Sequence, residues 1–464
     1  MRYVMLLVVV ASVLLAGTGL AAVPVANFSG TPTSGTATLA VSFTDTTTNT
    51  PTSWRWSFGD GTTSTAQNPS HTYTSPRAYS VSLTATNASG SDTETKPFYI
   101  SVLSSGNTYY VATNGSDTTG DGSSGNPWQT IQKAATTIRN LGTGGHTVIV
   151  RDGTYTAPPE NTAGVVALIA QVGSSTNPIV YRAEHKWGAV LDAQNTHQYG
   201  MYVCGGTTCP ASSYLTIQGF EIRNFFDPNI QPPGYPRGTG IAAYGPAHHI
   251  TIRDNNIHNP EVILASGLYE SDECHDFTYD SNIIHDVGGP TAPHGHGIYT
   301  CGDYITITNN TFYGCDYRGV QIAGYYATSD HVLVSNNTFT DSAVDGHIVV
   351  WGAVTNTTIQ NNIFHGIPAG TTAVEYVDAT GCSNDLIRYN LSYGGDGIGP
   401  ANDGWTYSNN STGDPLFVDA AKHDFRLRPG SPAIGAGIAD RAPKTDIAGR
   451  ARPQGKGYDL GACQ

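Results

Sequence analysis

Seven segments between Leu215 and Gly394 repeat one template, an apolar alternation closed by Asn and a further apolar residue. They are LTIQGFEIRN from Leu215, ITIRDNNIHN from Ile250, FTYDSNIIHD from Phe277, ITITNNTFYG from Ile305, VLVSNNTFTD from Val332, TTIQNNIFHG from Thr357 and LIRYNLSYG from Leu386. After the first, the spacing is about 25 to 29 residues, and a fixed period in that range is the mark of a stacked solenoid. Period-two alternation makes each unit a strand, and stacking such units buries one continuous core.

Two further columns run through the repeat. Asn255, Asn282, Asn310, Asn337 and Asn362 fall in register, with Asn390 in a shortened unit. Asn tolerates left-handed backbone, and its amide can bond the same amide in the layers above and below, so an Asn ladder at the bend between strands is expected. Between the templates, Gly240-Ile241, Gly267-Leu268, Gly297-Ile298, Gly319-Val320, His347-Ile348 and Ala373-Val374 mark a second strand in each turn.

Two or three strands per turn of about 27 residues, with few helix signals, resembles the right-handed parallel β-helix of the pectate-lyase-like superfamily, over about residues 107–464. TYYVATNGSD with GNPWQTIQKAATTI resembles its N-terminal cap (about 107–145), where Trp128, Ile131, Ala135 and Ile138 recur at helical spacing. VIVRDGTY resembles a first full coil, and about 412–464 resembles a C-terminal cap. Caps are needed because a bare solenoid end exposes unpaired strand edges.

Ahead of the solenoid, Trp54-Arg-Trp-Ser-Phe-Gly-Asp-Gly61, Asn68-Pro-Ser-His-Thr-Tyr73 and Tyr79-Ser-Val-Ser-Leu-Thr-Ala-Thr-Asn87 read as short strands with a tight turn at Gly59 to Gly61. The motif W-x-F-G-D-G, P-x-H-x-Y, Y-x-V-x-L-x-x-x-N resembles the PKD domain family. That resemblance implies an immunoglobulin-like β-sandwich over about 24–103, used as a spacer or binding module. The fold class expected is therefore all-β, a sandwich followed by a parallel β-helix solenoid with one short capping helix.

Met1-Arg2, an apolar run from Val4 to Ala16 and small residues ending at Ala22 read as a secretory signal peptide over 1–22. The expected location is extracellular or at the cell surface, without membrane insertion. Export permits disulfides, and Cys204 and Cys209 could close a short loop; the seven cysteines leave the pairing open. A net charge of −14 argues against nucleic acid and anionic membranes, which need a basic footprint.

Site residues are sought where a column is broken. His258, His285 and His365 share a column with Tyr313 and Thr340, as a ladder would. His296 does not: its column reads Thr239, Ser266, His296, Arg318, Gly346, Thr372. With Ile298 inward, Tyr299 points outward, in a column with Ala242, Tyr269, Gln321, Val349 and Glu375. One face should thus carry Tyr244, Tyr269, Tyr299, Trp351 and Glu375, with His296, Arg318, Asp345 and His347 near its edge. Aromatic faces with convergent polar groups suit stacking on sugar rings, although a solvated sheet face is the plainer reading. Glu270, Asp272, Glu273 and Asp276 cluster at the adjoining turn, a candidate Ca²⁺ site set against a solvated turn. No third ligand at suitable spacing supports zinc at His294 and His296.

Superfamily resemblance implies a polysaccharide lyase acting by β-elimination on an extracellular glycan. His296 or Tyr299 would be the base and Arg318 the group that neutralises the substrate carboxylate, with His294 and Glu375 beside them. Substrate contacts would come from Tyr244, Tyr269, Trp351, His347 and Asp345. Lyases of this fold often use Lys or Arg as base, yet no Lys lies between Lys186 and Lys422. Gly295-His296-Gly297 resembles the G-H-G element of the polygalacturonase-type glycosidases, whose N-T-D and D-D motifs are absent here. Asp272, Glu273 and Glu375 would be that reaction's carboxylates. The third alternative is a non-enzymatic glycan-binding or adhesive protein.

Overall fold

The computed structural model describes residues 22–464 apart from 37, 76, 104–107, 143, 158–164, 204–210, 226–237, 260–264, 289–294, 342–345, 379, 400–404, 454, 456 and 464. The expected leader up to residue 21 and the Cys204–Cys209 loop lie outside the described residues. The chain divides into two compact units, one ending at Ser105 and the other beginning at Gly106. No helix among the described residues is long and apolar enough to cross a membrane.

The first unit is a sandwich of a three-stranded sheet (Phe28–Thr31, Leu39–Asp45, Ser70–Tyr73) and a five-stranded sheet built around Ser53–Ser57, Arg77–Asn87 and Gly90–Leu103. Alternation does what the sequence expects: Val41, Phe43, Trp56, Tyr73, Val81 and Leu83 all point into one core. Gly59 has φ of 83°, and a Cβ there would meet the Ser80 carbonyl oxygen at 2.4 Å, so the turn admits only glycine. Two motif residues meet across it. His71 Nε2 lies 2.7 Å from Asp60 Oδ2, and its ring stacks on Phe58.

The second unit is a parallel β-helix of three sheets. An 11-stranded sheet runs from Thr108–Val111 to Trp405–Ser408, a 10-stranded sheet from Gly153–Tyr155 to Ser411–Thr412, and an eight-stranded sheet from Val165–Ile169 to Val374–Val377. Each coil gives one strand to each sheet in turn. His248–Arg253, Asn256–Asn259 and Ala265–Glu270 form one such coil, and His275–Asp280 opens the next. The helix Ile131–Leu141 is capped by Thr130, whose side chain accepts from Lys133 N–H, and it buries Ile131, Ala134, Ala135 and Ile138.

Each template, read above as one strand, is two. The chain turns at the Asn, and the residue before it takes the left-handed conformation: Asp254, Ser281, Asn309, Asn336, Asn361 and Tyr389 all have φ between 55° and 59°. The ladder Asn follows in ordinary backbone with its amide turned inward. Asn255 Nδ2 donates to Asn282 Oδ1 at 3.1 Å, and the chain of bonds continues through Asn310, Asn337, Asn362 and Asn390 to Asn410. Each Oδ1 also accepts the backbone N–H of the residue one coil earlier, at 2.8 to 3.1 Å. A pair of adjacent Asn therefore splits its work. Asn310, Asn337 and Asn362 bond coil to coil, whereas Asn309, Asn336 and Asn361 donate outward to the carbonyls of Thr445, Asp459 and Ile438. The C-terminal segment, expected as an end cap, is held by these bonds along the flank of the coils.

Inside, Phe312, Phe339 and Phe364 stack at 4.7 and 5.1 Å. Outside, the column expected to be a histidine ladder is one: His258 stacks on His285 at 4.8 Å, and His285 on Tyr313 at 4.6 Å.

Replacing Asn310 by Ala strands two buried donors on Asn282 and the carbonyl of Tyr279. Each buried orphan costs about 1–3 kcal/mol. Urea denaturation followed by circular dichroism should therefore show N310A destabilised by about 3 kcal/mol or more. Asn410→Ala, at the end of the ladder, should cost less.

Candidate functional site

The eight-stranded sheet carries the broken column. Its register pairs Ser266 with His296 and His296 with Arg318, so the two candidate catalytic side chains occupy the same position on neighbouring coils. Tyr269, Tyr299, Gln321, Val349 and Glu375 follow one another in the next outward column, as expected. Trp351 is half-buried on the same face, between Ala323 and Val377.

Aromatic rings run unbroken across five strands of this face. Tyr199 and Tyr202 pack against Tyr244 (Tyr202 stacked at 5.4 Å), Tyr244 against Tyr269 at 5.1 Å, and Tyr269 against Tyr299 at 5.5 Å. Tyr299 then meets His296 at 5.4 Å, and His296 meets Tyr317 at 5.2 Å. At about 4.8 Å per strand, the row is about 20 Å long. Burial holds the hydroxyls of Tyr244 and Tyr269 well above their ordinary ionisation range, so both stay neutral donors.

The row ends on two polar pairs. His296, nearly buried, places Nε2 2.8 Å from Gln321 Oε1. An amide oxygen only accepts, so Nε2 carries the proton and the basic lone pair of the neutral ring is on Nδ1. Arg318, 3% exposed, lies face-on over Tyr317 at 3.8 Å and sends Nη2 to Glu375 Oε2 at 3.2 Å. Gln321 and Tyr317 were not singled out from the sequence, although Gln321 stands in the outward column drawn there. What marks it is its partner, one coil away and 25 residues earlier.

Two of the expected residues belong elsewhere. His347 does not face the groove. It continues the column of Gly297 and Gly319, whose missing side chains leave room for the interior phenylalanines: a Cβ on Gly297 would meet Phe312 at 2.7 Å. The His347 ring accordingly lies inside, against Phe339 and Phe364, with Nε2 on the carbonyl of His365. Burial pushes its pKa down to about 3, which keeps it neutral.

Glu270 is the other correction. It pairs with Thr300, one position on from outward Tyr269, and alternation sends its carboxyl into the coil interior. It is completely buried and accepts a hydrogen bond from the Tyr279 hydroxyl. Asp272 and Glu273 stay on the exposed turn. The three carboxylates therefore do not form one calcium cage. His294 and Asp345 lie outside the described residues. The cysteines within them (Cys274, Cys301, Cys315, Cys382, Cys463) are all free.

The two glycines flanking His296 have a backbone reason. A Cβ on Gly295 would meet the Val287 carbonyl oxygen at 2.0 Å, and one on Gly297 the Gly319 carbonyl oxygen at 2.5 Å. Close packing of coils thus accounts for Gly295-His296-Gly297 without glycosidase chemistry.

Family models match the chain twice: a PKD domain over residues 21–102 and a right handed beta helix region over 191–387. The first unit matches the PKD domain family, and the second folds as a right-handed β-helix. Among solved structures, pectate lyase Pel9A shares the β-helix fold at 17% identity, with a TM-score of 0.53, covering 78% of this chain and 97% of its own. The PKD1 domain of Vibrio anguillarum Epp is 33% identical over 18% of this chain and 99% of its own, with a TM-score of 0.16. The A-module of mannuronan C-5 epimerase AlgE6 from Azotobacter vinelandii is 15% identical over 61% of this chain and 94% of its own, with a TM-score of 0.34. No curated protein matches the chain.

Buried Glu270 makes the β-helix sensitive to pH. Burial raises its pKa from 4.5 to about 8, so the carboxyl is neutral in the folded protein where the unfolded chain is ionised. Its contribution to stability is fully present below about pH 4.5 and is lost as pH rises through about 8. Each unit between those limits is worth about 1.4 kcal/mol. Glu270→Gln keeps an acceptor for Tyr279 and carries no charge. Relative to wild type, it should gain stability steadily between pH 5 and 8 in parallel urea denaturations.

Proposed function

We propose that the β-helix binds an extracellular polysaccharide along the tyrosine row of its eight-stranded sheet and cleaves it by β-elimination at the His296 end. The observation that carries this reading is the row itself, an unbroken aromatic track that terminates on a base-capable imidazole and a guanidinium. Stacking on sugar rings needs faces rather than charges, which suits a chain of net charge −14.

In the proposed reaction, Arg318 takes the carboxylate of a uronic residue and so stabilises the charge that develops when the α-proton leaves. Nδ1 of His296 accepts that proton, with Gln321 fixing the tautomer through Nε2. The glycosidic carbon–oxygen bond breaks, a carbon–carbon double bond remains in the ring, and the Tyr299 hydroxyl donates to the leaving oxygen. Glu375 pairs with Arg318 in the absence of substrate. Secretion and extracellular location belong to the same reading, supported by the apolar start of the chain and the PKD domain.

One observation favours a second reading, binding without cleavage. Arg318 already has a carboxylate partner in Glu375, and the pair is largely buried.

The full chain should be incubated with neutral and uronic polysaccharides, with calcium and with a chelator, while the absorbance of unsaturated ends and the release of reducing ends are followed. Rising ultraviolet absorbance with uronic substrates only is the expected result. His296→Ala should lower it at least a hundredfold, since a general base contributes about 10²–10⁴. Tyr244→Ala should chiefly weaken glycan binding. Reducing ends without ultraviolet absorbance would refute elimination, and retention on the polysaccharide with neither signal would establish the binding-only reading.

A further inference from the structure

The 11-stranded sheet holds a cluster that the glycan face does not use. His248 and His275 open neighbouring strands and pair in register, and their rings stack at 5.0 Å and 2°. The residue after each is left-handed, His249 at φ 56° and Asp276 at 58°. This turn brings all four polar groups together. His248 Nδ1 is 2.8 Å from His249 Nδ1, His275 Nδ1 is 2.7 Å from Asp276 Oδ2, and His249 Nδ1 is 3.7 Å from the same oxygen.

We propose that His249, His275 and Asp276 form a binding site for a divalent transition-metal ion of the zinc type, clipping two successive coils together with water as the fourth ligand. Zinc–nitrogen bonds of 2.0–2.1 Å put tetrahedral ligand atoms about 3.3 Å apart, and the His275–Asp276 and His249–Asp276 separations of 2.7 and 3.7 Å bracket that value. Among the described residues, His249, His275 and Asp276 are the one group of three His, Cys, Asp or Glu residues whose ligand atoms all converge, within 4.8 Å. Two imidazoles and one carboxylate oxygen suit zinc, copper or nickel, whereas calcium and magnesium take oxygen ligands. The site is open to an entering ion, with His249, His275 and Asp276 side chains 38–44% exposed.

The neighbouring coils show what the same column does without the donor set. Tyr214 and Tyr304 hold the left-handed position on either side of this pair, Tyr214 stacking on His249 at 4.4 Å and Tyr304 on His331 at 4.8 Å. His331 is itself left-handed and offers a matched control. The site draws His249 from one coil and His275 and Asp276 from the next, so an ion there resists separation of the coils and stabilises the folded chain by mass action. This inference is independent of the glycan reading, because it rests on a different sheet.

The test is a zinc titration of the full chain, stripped with chelator, by calorimetry at pH 7.5, together with cobalt absorption spectra and thermal melts. The expected result is a zinc equivalent whose affinity falls at least tenfold in His249→Asn, Asp276→Asn and His275→Gln, and is unchanged in His331→Asn. Asn accepts left-handed backbone, so the first two variants keep the fold. Zinc should raise the melting temperature of wild type and of His331→Asn, and not that of the other three; cobalt should show tetrahedral bands that those three lose. Equal zinc affinity across all five proteins, or no binding to wild type, would overturn the site.

Discussion

The β-helix depends on one interaction, the amide ladder that runs from Asn255 to Asn410 through the bend between the 11- and 10-stranded sheets. At that bend the chain leaves one sheet for another, and its backbone groups lose their strand partners. The left-handed residue makes the turn, and the Asn after it supplies the missing partners: Oδ1 for a backbone N–H of the previous coil, Nδ2 for a carbonyl and for the next amide. Buried polar groups left unpaired are costly, so a ladder interrupted in one coil weakens the coil on each side. Everything placed relative to the bend inherits its regularity, the outward face of the eight-stranded sheet included.

That dependence explains what the sequence could and could not reveal. Columns were legible because coils stack in register: the series Thr239, Ser266, His296, Arg318 was drawn from spacing alone, and strand pairing reproduces it. The ladder was legible for the same reason. Side-chain direction was legible only within a strand. At Glu270 the acidic spacing suggested a group with Asp272 and Glu273, but the strand still ran at that residue and alternation turned it inward. At His347 the residue stands where its counterparts are glycine, and only the phenylalanine stack beside them shows that the position faces the core. The partners of His296 and Arg318 lie 25 and 57 residues away, at distances that no local pattern encodes.

The two proposed sites share a logic. A solenoid repeats its backbone, so each column offers many equivalent places, and function enters where side chains depart from the column's habit. On the eight-stranded sheet the departure is polar, an imidazole and a guanidinium ending a row of phenols. On the 11-stranded sheet it is a convergence, two successive coils bringing His249, His275 and Asp276 to the same turn. In neither place is the backbone altered, which is why the fold pays no visible penalty for them.

The Arg318–Glu375 pair sets which glycan the proposed elimination can accept. A guanidinium 3% exposed cannot give up its carboxylate to water cheaply, because stripping one partner from a buried ion pair costs about 3–5 kcal/mol. A neutral sugar stacked on Tyr299 offers nothing in exchange and leaves the pair closed. A uronic carboxylate can take over the guanidinium while Glu375, at 24% exposure, turns to solvent. One carboxylate replaces another, and Arg318 is never left alone. In the proposed elimination the resident Glu375 would therefore act against neutral substrates more than against charged ones, and would let a strongly acidic protein admit an acidic polymer where the chemistry requires its charge.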